Sequence, residues 1–72
     1  GMYSEAVEYL SRAYAKFPDA EVAAHLGEVL WVSGDTATAL SIWQGAILKD
    51  PNHQVLVDTM QRLGAPVQPA LP

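Results

Sequence analysis

The chain has no cysteine, and it sets only four basic residues, Arg12, Lys16, Lys49 and Arg62, against eight acidic ones. Without cysteine, disulfides and thiolate metal sites are excluded and the redox compartment is left unread. The four cations are scattered, and a formal charge of −4 runs against nucleic-acid binding, which relies on clustered Lys and Arg facing phosphate. No apolar run approaches the roughly 18 to 20 residues of a membrane span, so no segment here is expected to insert in a bilayer. The start GMYSEA lacks the basic-then-apolar order of a signal peptide. Gly1 before Met2 reads as a remnant of tag removal, and the chain as a piece of a longer protein. The constellations of catalysis are missing as well. Ser4, Ser11, Ser33 and Ser41 fall in cap, helix or turn contexts, with no nucleophile elbow and no glycine-rich phosphate loop. The expectation is a protein that is not an enzyme and holds no cofactor or metal.

What is present is apolar. Half of the 72 residues are hydrophobic, too rich for a disordered segment. A chain this short is one small domain, burying only about 60% of the surface its unfolded form exposes. From Ser4 to Phe17, the residues Ala6, Val7, Leu10, Ala13, Tyr14 and Phe17 recur at helical spacing. Glu5, Glu8, Arg12 and Lys16 lie opposite as a solvated face, with Glu8 and Arg12 four apart in the favourable acid-first order. Pro18 stops this helix, and Asp19 caps one that begins at Ala20.

The stretch Ala20 to His53 predicts two helices folded back on each other. Val22, Ala23, Leu26, Val29, Leu30 and Val32 run to Ser33 and Gly34, whose permissive backbone suits a helix end. Asp35 caps the next helix, where Ala39, Leu40, Trp43, Ala46 and Ile47 repeat with the same period. Asp50 and Pro51 close it. Asn52 is expected to cap a last helix carrying Leu56, Val57, Met60 and Leu63, which Gly64 ends. Beyond it, three prolines in the last seven residues predict a disordered tail. The fold class is therefore all-α, with about four helices.

The chain also resembles itself. Laid 33 positions apart, Ala6 pairs with Ala39, Leu10 with Trp43, Ala13 with Ala46, Lys16 with Lys49 and Pro18 with Pro51. The last helix likewise echoes the helix from Ala20. Leu26, Gly27, Leu30, Ala39, Trp43, Ala46 and Pro51 then fall into a pattern that resembles the tetratricopeptide repeats, with departures at Ala23 and Leu30, where the family favours large aromatics. The resemblance covers Tyr3 to about Leu63. It implies antiparallel helix-turn-helix repeats, a fragment of an α-solenoid. On that reading 1–63 is the helical domain, with a half repeat at 3–18, a full repeat at 20–53, a capping helix at 53–63, and a flexible tail at 64–72. Gly27, Ala39 and Ala46 would let helices approach closely while Trp43 fills the space beside them. Gln61 stands where Gly27 does in the earlier helix, which marks the last helix as a polar cap. The run from Phe17 to Asp35, with the segments that follow, is also similar to the C-terminal end of proteobacterial tetratricopeptide lipoproteins. That likeness implies a periplasmic, outer-membrane-associated setting, and without it a cytoplasmic one is expected.

The family's concave binding face would map onto Glu21, Ala24, His25, Glu28, Trp31 and Val32. The implied function is binding of a protein or peptide partner there. Positions that in some members hold Lys and Asn for an acidic C-terminus hold Ala24, His25 and Glu28 here, so a basic or neutral segment suits the face better. One histidine and two carboxylates on a helical face admit a metal only as a remote alternative to an ordinary solvated face. Trp31 is either an anchor for a partner or a packing residue; Trp43 is core, and His53 reads as exposed. The alternative function is a structural C-terminal cap of a longer solenoid. It would self-associate through the first helix near Val7, Leu10 and Tyr14 as a homo-oligomer.

Overall fold

The computed structural model describes residues 2–67. It contains α1 (Met2–Lys16), α2 (Ala20–Ser33), α3 (Thr36–Lys49) and α4 (Gln54–Leu63), and no strand occurs among the described residues. Each boundary has a chemical cause. Asp19, in an extended conformation, accepts a hydrogen bond from the Glu21 amide at 2.6 Å, and Asp35 accepts one from the Thr38 amide at 3.2 Å. Both satisfy amides that the first turn leaves without intrahelical partners. Gly34 ends α2 at φ 104°, donating its amide to the carbonyls of Leu30 and Trp31, and Gly64 ends α4 at φ 80° in the same manner. A side chain at either position would strain the left-handed backbone.

The fourth helix begins differently from the expectation. Its cap is His53, not Asn52: the imidazole Nδ1 accepts from the Leu56 amide at 3.4 Å. His53 is accordingly half-buried, not exposed. The reason is that the Asp50–Pro51 turn spends Asn52 on the turn, leaving the next residue to cap.

The helices assemble around α2, which packs against α1, α3 and α4, while α3 and α4 barely touch. The chain's radius of gyration, 11.2 Å, is that of a compact unit of this length. The core is centred on Trp43, Ile47, Leu56 and Met60, with Ala23, Ala24, Leu26, Leu30, Ala39 and Ala46 around them. Gly27 is buried beneath Trp43, and a Cβ there would overlap the indole ring. The Trp43 Nε1 donates to the Ala24 carbonyl at 3.4 Å, so the one polar atom of the largest core residue has a partner. Small residues on α2 thus let α3 approach closely enough for a fully buried indole to fit.

Two further expectations change. Val7, Leu10 and Tyr14, read as an exposed self-association strip, are half-buried against the core, because α1 turns that face onto α2. Helix α1 and the residue that follows it leave other apolar side chains outside: Met2 is 87% exposed, Tyr9 74% and Phe17 65%. The first residues of the expected tail pack onto the helices. Ala65 is buried, its amide donating to the Met60 carbonyl, and Val67 packs on the core. The remainder of the expected tail, 68–72, lies outside the described residues.

Candidate binding groove

The face singled out in sequence divides in two. Along α2, successive residues turn by about 100°, which puts Glu21, His25, Glu28 and Val32 on one strip and Ala24 and Trp31 to its side. Burial follows that division. Glu21 and His25 are exposed and Val32 is half exposed, whereas Ala24 is 1% exposed and belongs to the core. Ala24 therefore has no side-chain surface to offer. Trp31 is half-buried, its ring tilted 33° to that of Trp43 with centroids 5.5 Å apart, a geometry of aromatic packing. One edge of Trp31 is committed to the core, and the rest remains at the surface.

Beside the strip, α1 and α2 enclose a shallow groove of about 440 Å³, lined by Tyr3, Leu10, His25, Glu28, Val29 and Val32. Half of this lining lay outside the binding face read from sequence. Tyr3 and Leu10 come from α1, and Val29 from the flank of α2 that faces it. The signal existed in the α1 period, but which face of α1 meets α2 depends on the crossing of the two helices, which periodicity does not give. Four of the six lining residues are apolar or aromatic, and His25 and Glu28 supply the polar rim. Such a proportion suits an apolar side chain held in place by a few polar contacts.

The far edge of the strip is closed by α4. Arg62 lies 3.0 Å from Glu28 in an ion pair whose Glu28 side is two-thirds shielded. This tempers the acidic character expected of the face, because one of its two carboxylates already has a counter-charge. Being partly exposed, the pair adds little to stability.

Among the described residues no group of three or more His, Cys, Asp or Glu side chains could hold a metal ion, so Glu21, His25 and Glu28 share a strip without converging. No buried side-chain polar atom lacks a hydrogen-bond partner among them either. Among the described residues no helix is long and apolar enough to cross a membrane. A second depression, of about 320 Å³, sits at the opposite end, between the Pro18 turn and the Asp50–Pro51 turn, with Asp19, Lys49 and His53 on its walls. The Asp19 carboxylate and His53 are already occupied by capping. The chain matches no family model, no curated protein and no solved structure.

Proposed function

We propose that the chain is a non-catalytic protein-binding module built of tetratricopeptide-like helical repeats, and that it takes a basic or neutral peptide segment in the groove between α1 and α2. The observation that carries this reading is the groove itself: Tyr3, Leu10, Val29 and Val32 form an apolar floor on two rigid helices, with His25 and Glu28 at its lip. Rigid helices hold such a surface without an ordering cost on binding. Supporting it are the alternation of helix types in sequence and the close α2–α3 contact at Gly27, Ala39 and Trp43. An apolar side chain of the ligand would enter beside Val29 and Val32, with a neighbouring base near Glu21 and Glu28.

The test uses peptides selected from a random library displayed against the chain. Selected peptides are expected to shift backbone NMR resonances of Tyr3, His25 and Val32, and Val32→Asp should weaken them about tenfold, roughly 1.4 kcal/mol. Helical circular dichroism should stay unchanged, because Val32 is half exposed. Selected peptides that shift resonances elsewhere, or that bind Val32→Asp as tightly as the parent, would overturn this reading.

A further inference from the structure

After α2 has covered Val7, Leu10 and Tyr14, α1 still carries a second apolar strip. Met2, Ala6, Tyr9, Ala13 and Phe17 follow at steps of four, three, four and four, within an arc of about 80° on the helix. Such spacing is that of a seam between two helices. Tyr9, Arg12, Ala13, Lys16 and Phe17 surround a depression of about 500 Å³, in which Ala13 is the smallest side chain. Along one edge of the strip run Glu5 and Lys16, acidic toward the helix start and basic toward its end, while Arg12 between them is held by Glu8 of its own helix at 2.6 Å.

We propose that this strip pairs with the same strip of a second copy, antiparallel about a two-fold axis near the middle of α1. The charge order selects both the occupant and the direction. A two-fold antiparallel pairing lays the charged edge of one copy along the same edge of the other, reversed, so Glu5 meets Lys16 of the second copy with Arg12 close by. A parallel pair would place those edges on opposite sides and lose the match. The same register sets Tyr9 against Ala13 of the second copy, a large ring into the depression beside a small residue, and brings Phe17 between its Met2 and Ala6. Every contact is made twice, as an isologous interface requires. One helix from each copy makes a small interface, at the weak end of specific association, so the dimer is expected to fill only toward roughly 0.1 mM.

The experiment is sedimentation equilibrium of the full chain across that range, with circular dichroism of each variant as a folding control. Glu5→Lys and Lys16→Glu should each weaken self-association about tenfold, Tyr9→Glu should abolish it, and the double variant Glu5→Lys, Lys16→Glu should return to within about threefold of the parent. All three positions are exposed, so helicity should not change. Val32→Asp should leave the dimer intact, which separates this interface from the peptide groove. A parent that stays monomeric throughout, a Glu5→Lys variant that associates normally, or a double variant that fails to recover would overturn the proposal.

Discussion

Helices α1 and α3 carry nearly the same pattern, yet one forms the centre of the molecule and the other its edge. Trp43 in α3 is fully buried, whereas Leu10, its counterpart in α1, is only half-buried and no residue of α1 is fully buried. The difference lies in what each helix meets. Helix α3 lies against Gly27 and Ala23 on α2, where the absence of large side chains admits an indole. Helix α1 meets the other flank of α2 at Val29 and shares its covered side with an open groove. Periodicity assigns a face to each helix, and the size of the residues opposite decides how deeply that face is buried.

The comparison is broken most severely at its two central residues. Trp43→Ala should cost ~3 to 5 kcal/mol, enough to unfold so small a domain, while Leu10→Ala should cost about 1 to 2 kcal/mol and leave a cooperative melt. Urea denaturation of the two variants checks the ratio, and equal losses would mean that α1 and α3 are equally buried. A narrower cut uses one substitution at two glycines. Helix propensity alone favours alanine over glycine by about 1 kcal/mol. At Gly45, exposed on α3 with no atom near its would-be Cβ, that gain should be realised. At Gly27 the overlap with Trp43 should reverse the sign and destabilise by about 1 to 3 kcal/mol. Thermal melts moving in opposite directions are the expected result. The smallest effect belongs to α4, whose His53 cap at 3.4 Å is longer than the carboxylate cap of α2. His53→Asp should stabilise by about 0.5 kcal/mol at neutral pH, read as a higher urea midpoint.

Much of this architecture was legible in sequence because it rests on local rules. Asp19, Asp35, Gly34 and Gly64 end or begin helices by chemistry that involves only their neighbours, and each acts where it was expected to. The core residues Leu26, Leu30, Ala39, Trp43 and Ala46 followed from a period of 3.6. His53 did not, since choosing between adjacent capping residues depends on the geometry of the turn before them. Nor did the burial of Ala65, which is decided by the course of the chain after Gly64. The candidate site was half legible. Glu21, His25, Glu28 and Val32 share a strip by arithmetic alone, but Ala24 is buried in the core and Trp31 leans one edge on Trp43, and the Tyr3 and Leu10 wall depends on how α1 crosses α2. The Glu28–Arg62 pair joins residues 34 positions apart through the docking of α4, beyond the reach of any local pattern.

The tilted stack of Trp31 on Trp43 also makes the molecule its own optical probe. These are the only two tryptophans in the sequence, and both lie in the α2–α3 hairpin, 5.5 Å apart between ring centres. Rings so close couple their electronic transitions, giving a dichroism couplet that reports whether the hairpin is zipped. Trp43, sealed from water, supplies a blue-shifted emission that marks folding, while Trp31, only partly buried, supplies a component that collisional quenchers can reach. A single cuvette thus distinguishes loosening of the hairpin core from changes at the surface beside it, with no label attached.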